Sequence, residues 1–246
     1  MRGLLVILAI MIAAATARAN DIAVALADDI IEIDADFAGA DVFLFGAIEG
    51  AEDPESFDII AVISGPAGDF AVRKRERRGL IWIPGAPVVI ADAPRLHLSV
   101  ATRAVGDIAP LPDLATNRIG ADRAFKADAG DATAPPDYRS AFLAAQRERG
   151  LYRDEANGVE FPKGALFTIE TSLPAETPIG DYTIAVFLYK DGALIADDAA
   201  TLRVNKVGLE RQIYALAHGQ PLLYGLLCVG LSLLAGWIAG AAFRKS

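Results

Sequence analysis

Hydrophobic positions along this chain follow three rhythms. From residue 21 to about residue 103 they form short apolar or alternating runs, at 22–26, 30–35, 42–48, 57–63, 70–74, 80–83 and 96–101, each bounded by Gly, Pro, Asp or Asn. Runs of this length and spacing predict antiparallel β-strands. The rhythm returns after Gly164, where ALFTIETSL alternates and GDYTIAVFLYKDGALIADDAATLRV holds two runs joined at Asp191-Gly192. An Asp-Gly pair readily takes up the two positive φ angles of a type I′ turn, so a β-hairpin is expected there. Because YTIAVFLY is apolar at both parities, its strand belongs at the centre of a sheet.

Between these blocks, over about 108–158, the composition shifts to Ala, Asp, Arg and Pro. DYRSAFLAAQRERG offers Asp137 as an N-cap, Tyr138, Ala141, Phe142 and Ala145 at helical spacing, and Gly150 as a stop, which predicts a helix. A shorter helix is expected over 112–118, stopped by Gly120, with a loop over 127–137. The stretch reads as a helical insertion packed across one sheet or over an end. The expected fold is therefore mainly β: an immunoglobulin-like antiparallel β-sandwich over 20–205 with a helical insertion.

The third rhythm is continuous. An apolar run at 4–15 follows Arg2 and precedes Ala17-Arg18-Ala19, the layout of a secretory signal peptide (1–19) cleaved before Asn20. At the other end, 221–243 carries no charge and is long enough to cross a bilayer. Pro221 suits the first turn of a helix, where its missing N–H costs nothing. Arg244 and Lys245 follow it, the basic side expected in the cytoplasm. These ends predict a bitopic protein of the inner membrane: a periplasmic domain, a juxtamembrane stalk over 206–220 with Tyr214 and Tyr224 at headgroup level, a transmembrane helix at 221–243, and a cytoplasmic tail at 244–246.

Charge sharpens the picture. Setting aside Arg2, Arg18, Arg244 and Lys245 leaves 19 basic residues against 32 acidic ones, a formal charge of -13 for the external part. Nucleic acid is disfavoured as a partner, and anionic lipid is repelled, so attachment falls to the helix. The single cysteine, Cys228, lies within the apolar run, so the external domain must be held by its core rather than by disulfides.

Signatures of G-x-S-x-G, Walker A, H-E-x-x-H, C-x-x-C and EF-hand type do not occur, and no metal or cofactor is expected. His97 and His218 read as a strand residue and an interfacial polar residue. The pairs Asp28-Asp29 and Asp197-Asp198 read as solvated turn residues. A non-enzyme is expected, with a carboxylate-based periplasmic hydrolase as the remaining catalytic alternative.

VRKRERRG, at 72–79, is the one basic feature of an acidic domain. In a strand, Arg73, Arg75 and Arg77 share a face, and guanidinium groups there could pair with carboxylate, sulfate or phosphate oxygens as a candidate anion site. The same run also serves as a solvated edge strand or hairpin whose charge discourages edge-to-edge pairing, and anionic headgroups are a third use. Within the apolar run, Cys228, Ser232, Gly236 and Gly240 recur every four residues, a candidate helix-packing stripe that would admit a second helix closely.

GADVFLFGAIEG, FDIIAVISGP, RKRERRGLIWI, RERGLYRDEANGVEF, PIGDYTIAVFLYKDGALI and LLYGLLCVGLSLLAGWIAG, in that order, resemble the alphaproteobacterial putative transmembrane protein family, a family of unknown function, over nearly all of the mature chain. The resemblance implies a periplasmic domain with a C-terminal membrane helix. It also implies an accessory role beside a sulfite-exporter-type anion transporter. The expected function is thus a non-catalytic, membrane-anchored accessory or binding protein, whose partners are the inner membrane and either a polytopic transporter or a second copy met through the membrane helix. A structural envelope protein without a ligand is the alternative.

Overall fold

The computed structural model describes residues 21–34, 36–51, 53–78, 81–125, 135–206 and 216–243. The expected signal peptide and cytoplasmic tail, and most of the 127–137 loop and of the stalk, lie outside them. The chain divides into two units, a β-rich body reaching Asn205 and, with residues 32–35, a second unit holding the C-terminal helix.

Among the described residues twelve strands occur. A four-stranded sheet takes the order β1 (Asp21–Leu26), β3 (Gly39–Glu49), β10 (Leu166–Pro174), β9 (Val159–Lys163). A six-stranded sheet takes the order β2 (Ile30–Ile33), β12 (Ala193–Lys206), β11 (Gly180–Lys190), β4 (Asp58–Ser64), β7 (His97–Ala101), β8 (Tyr152–Ala156). The remaining pair, β5 (Ala67–Arg78) and β6 (Ile81–Pro94), is a separate long hairpin. Asp191 and Gly192 have φ of 51° and 80°, so the β11–β12 turn forms at the expected Asp-Gly pair. β11 lies between β12 and β4, in the interior position its two-sided apolarity requires.

Alternation along the strands builds two apolar layers. In the smaller sheet Val42, Leu44, Ile48, Phe167, Ile169 and Leu173 are buried, and in the larger one Tyr182, Ile184, Val186, Leu188, Leu202 and Val204 are. Hydrogen bonds join the sheets at two places. Val24 donates its backbone N–H to Asp198 Oδ2 (3.0 Å), and Arg153 Nη2 donates to the Ser172 carbonyl (3.0 Å). Asp198 is thus a mid-strand clip on β12 and not the turn residue expected from its sequence. A half-buried edge-strand amide, turned away from the β1–β3 pairing, gives that carboxylate its use.

β4 is buried on both faces. Ile60 and Val62 point away from the first layer and, with Ala101, Phe187 and Tyr189, pack beneath Ile108, Leu114 and Ile119 from the helical segment. The helices are α1 (Val105–Ile108), α2 (Leu111–Thr116) and α3 (Pro136–Glu148). They cover the outer face of the larger sheet and so make a third layer. Two details of the expectation change. Pro135 and not Asp137 is the N-cap of α3, which frees the Asp137 carboxylate for another partner. The helical segment also ends near Gly150 (φ 70°), and 152–156 becomes β8, paired in parallel with β7. The all-antiparallel sandwich therefore fails at one edge, because the helical segment is long enough to carry the chain back for a parallel pairing.

The second unit ends in α4 (Pro221–Phe243), the element expected from the continuous apolar run. Its 23 residues span about 34 Å at 1.5 Å per residue, enough for a hydrocarbon core of about 30 Å.

Candidate functional site

The arginine run occupies the distal half of β5. In register, Arg73 lies opposite Pro87, Arg75 opposite Pro84, Arg77 opposite Trp82 and Arg78 opposite Ile81, with irregularities between Gly68 and Phe70 and between Arg73 and Arg75. The hairpin was legible in the sequence only as two short runs, 70–74 and 80–83, and Pro84 and Pro87 argue against a continuous β6. An isolated hairpin tolerates both prolines, since each strand has a free edge.

Phe70, at the base of the hairpin, meets the Phe142 ring of α3 at 4.9 Å between centroids, and Phe142 in turn meets Phe125 at 5.7 Å and Tyr152 at 5.8 Å. Four residues further out, Lys74 forms an ion pair with Asp137 and holds its ammonium 5.5 Å from the Tyr138 ring. That bond raises the Lys74 pKa and lowers that of Asp137. Phe70 and Lys74 share one parity of β5, so α3 supports that face. The other parity carries Arg73, Arg75 and Arg77. Arg73 and Arg77 are exposed, and Arg73 Nη1 donates to the Gly85 carbonyl at 3.3 Å. The strand therefore places the three candidate residues on the face away from α3.

Exposed charges contribute little to folding, so Arg73→Ala with Arg77→Ala is expected to change stability by less than ~1 kcal/mol. If the face binds an oxyanion, millimolar sulfate raises the Tm of the parent and leaves that of the double variant unmoved. Equal Tm values with and without sulfate in the parent would assign the run to edge protection alone.

A second surface escaped the sequence reading. On β3 the outward positions are Asp41, Phe43, Phe45, Ala47 and Glu49, and the register places Glu170 beside Phe43, Thr168 and Ala25 beside Phe45, and Leu166 and Ala23 beside Ala47. Phe43, Phe45 and Leu166 are 47%, 48% and 52% exposed, while their inward neighbours Leu44 and Phe167 are buried. A depression of about 370 Å³ lies against Ala23, Ala25, Phe45, Ala47, Pro162 and Leu166. Another of about 460 Å³ adjoins Phe43, Asn157, Glu160, Thr168 and Glu170. The signal was present in DVFLFGAIE, which is apolar at both parities although only one face of β3 is covered.

His97 is wholly buried on β7, with Ser64 Oγ 3.1 Å from its Nδ1 and the Tyr152 ring 6.0 Å away. Burial pushes its pKa down to about 4. Held neutral among core residues, it is a strand residue, as its sequence context implied. Among the described residues no group of three or more His, Cys, Asp or Glu side chains is placed to hold a metal ion.

In α4 the residues Cys228, Ser232, Gly236 and Gly240 lie at four-residue intervals along the helix. Each step advances about 400°, so the stripe drifts by about 40° per member. Ser232 Oγ donates to the Cys228 carbonyl at 2.8 Å, which occupies the hydroxyl within its own helix.

A β-rich body is followed by a 23-residue helix whose 18-residue window at Pro221–Ile238 has a mean hydropathy of 1.9 and is exposed, long and apolar enough by length and composition to be a candidate C-terminal membrane anchor. The chain belongs to the family described as "Putative transmembrane protein (Alph_Pro_TM)", whose model matches residues 21–245. The family resemblance carried by the sequence is thereby established. No curated protein matches the chain.

Proposed function

We propose that this protein is a non-catalytic, membrane-anchored accessory protein that acts by binding a macromolecular partner on the periplasmic side of the inner membrane. The observation that carries the reading is the outward face of the four-stranded sheet. Phe43, Phe45 and Leu166 together leave large apolar area in water above a core that is already complete, and such patches mark interaction surfaces more often than chance exposure. The body is read as a variant of an immunoglobulin-like sandwich in which β8 joins in parallel after the helical segment. The signal-peptide layout expected from the sequence and the basic residues Arg244 and Lys245 support the orientation. The resemblance noted in the sequence supports a sulfite-exporter-type anion transporter as the larger assembly.

The test is co-purification from membranes in mild detergent. The parent is expected to retain a partner that Phe43→Ser with Phe45→Ser loses, at equal membrane abundance and with a reporter fused after Val204 active only in the periplasm. A partner retained by both proteins would exclude the sheet face, and a cytoplasmic reporter would exclude the placement.

A further inference from the structure

The β5–β6 hairpin is the far part of a longer ribbon. Ser64 of β4 pairs with His97 of β7, the Gly65 and Arg95 amides donate to the Leu96 and Pro66 carbonyls, and Ala67 of β5 pairs with Pro94 of β6. The ladder therefore runs on without a break past the six-stranded sheet. Ser64 is level with Thr183 of β11, and Thr183 with Thr201 of β12, whose remaining residues lead out of the body toward α4. The hairpin and the link to the anchor thus start from the same end of the sheet. That link is residues 207–220, and a chain of this length spans at most about 50 Å when fully extended. From Ala67 to Arg78 β5 covers about 40 Å at roughly 3.3 Å per residue, comparable with the widest gap the link permits.

Composition changes along the hairpin. Residues 73–78 hold five basic side chains, Arg73, Lys74, Arg75, Arg77 and Arg78, against the single acid Glu76, while 81–91 on the facing strand holds no charge. Lys74 is paired with Asp137 of α3, and counting that carboxylate still leaves an excess of three positive charges. On the uncharged strand Ile81 and Val89 are 63% and 47% exposed. The body is acidic overall, yet with a Debye length of about 8 Å at physiological salt its more distant carboxylates are screened from the tip. Basic residues beside uncharged apolar ones suit the headgroup layer, where lipid phosphates take the cations and the acyl boundary takes the apolar groups.

We infer that the distal β5–β6 hairpin, residues 73–84, rests in the headgroup layer of the membrane that α4 crosses, with anionic phospholipid as its ligand, and so gives the body a second point of attachment. The inference needs α4 to span the bilayer and is independent of the partner assigned to the outward sheet face. Because α4 keeps the body at the bilayer, lipid is present at high effective concentration, and a contact too weak to hold a soluble partner is still populated. The hairpin is also braced from one side by Phe70 against Phe142 and by Lys74 to Asp137, so little ordering remains to be paid on contact.

Tryptophan emission reads the contact. The chain has two tryptophans, and Trp237→Phe leaves Trp82 as the sole reporter in the hairpin. This full-length protein is placed in nanodiscs of phosphatidylcholine, alone or with about one third phosphatidylglycerol, each with and without lipid brominated close to the headgroup. Bromine is expected to quench about half of the emission in the anionic discs, and much less in phosphatidylcholine or at about 0.5 M salt. On the same background Arg73→Glu with Arg77→Glu, and separately Ile81→Ser, each reduce the quenching by about twofold or more, at unchanged urea midpoints. Phe43→Ser with Phe45→Ser leaves the quenching intact, so this contact and the binding role of the sheet face are read separately. Emission that bromine does not quench in anionic discs overturns the inference, and if sulfate also raises the Tm of the parent, the arginine run serves a soluble anion instead. Quenching indifferent to lipid charge, salt and both hairpin variants overturns it too, since the link alone then holds the tip near lipid. A co-purifying protein lost by the arginine variant, with no quenching by lipid, assigns the hairpin to a protein partner.

Discussion

Gly46→Ala is expected to destabilise the β body by about 3 kcal/mol or to prevent its folding, an effect at the upper end for overpacking a core. Gly46 sits on β3 with its α-carbon facing inward, opposite Phe167 of β10 and Val24 of β1. A methyl group there would lie 2.5 Å from the Ala23 carbonyl oxygen and 2.8 Å from Phe167 Cε1, within reach of Cζ as well. The ring is completely buried and the carbonyl belongs to the β1–β3 pairing, so neither can retreat without breaking something else. Adding Phe167→Leu removes the ring contact but leaves the carbonyl, and so recovers only part of the loss. Urea unfolding of the parent, the single variant and the double variant measures this. A Gly46→Ala protein within ~0.5 kcal/mol of the parent would show that the two sheets have slack at this position.

Acidification is expected to weaken the body through His97. In the unfolded chain His97 takes up a proton near pH 6.5, whereas burial holds the native imidazole neutral down to about 4. Between these values the unfolded state binds more protons, so stability falls as the pH is lowered through the window and is unaffected by this residue above it. The loss from His97 amounts to about 2 kcal/mol by pH 5 and about 3 kcal/mol by pH 4. The charge of Arg118 acts in the same direction, while the Arg118 backbone carbonyl, as an acceptor for the ring, opposes it. Asp58 behaves differently: hydrogen bonding from the Arg103 guanidinium, at 2.8 Å and 2.7 Å, holds its carboxyl below the ordinary range, and that contribution is lost only at lower pH. His97→Gln keeps a polar group near Ser64 and removes the titration. Its urea midpoint should therefore decline less than that of the parent between pH 7 and pH 4.5. Parallel slopes for the two proteins would assign the acid sensitivity to other groups.

The sequence determined the local content of this protein. Period-two alternation marked most strands, the Asp191-Gly192 pair marked the hairpin turn, the spacing of Tyr138, Phe142 and Ala145 marked α3, and an uncharged run of 23 residues marked α4. Each of these is set by neighbours a few residues apart, through backbone φ preferences or the side-chain period, and so is visible in one chain. The candidate sites were legible to the same extent: the alternation of Arg73, Arg75 and Arg77 follows from strand geometry, and the four-residue stripe of α4 from helix geometry.

Only the tertiary structure decided which strands meet. β3 pairs with β10 more than a hundred residues away, β8 joins β7 in parallel, Asp198 ties β12 to Val24, and Asp137 turns from the expected helix cap into the partner of Lys74. It also decided that Phe43 and Phe45 face outward over an uncovered surface while Ile60 and Val62, in an equally apolar strand, lie under helices. Alternation fixes which residues share a face of a strand, but not what covers that face. Coverage depends on contacts between distant segments, whose energies are summed over the whole fold and are encoded in no single stretch of sequence.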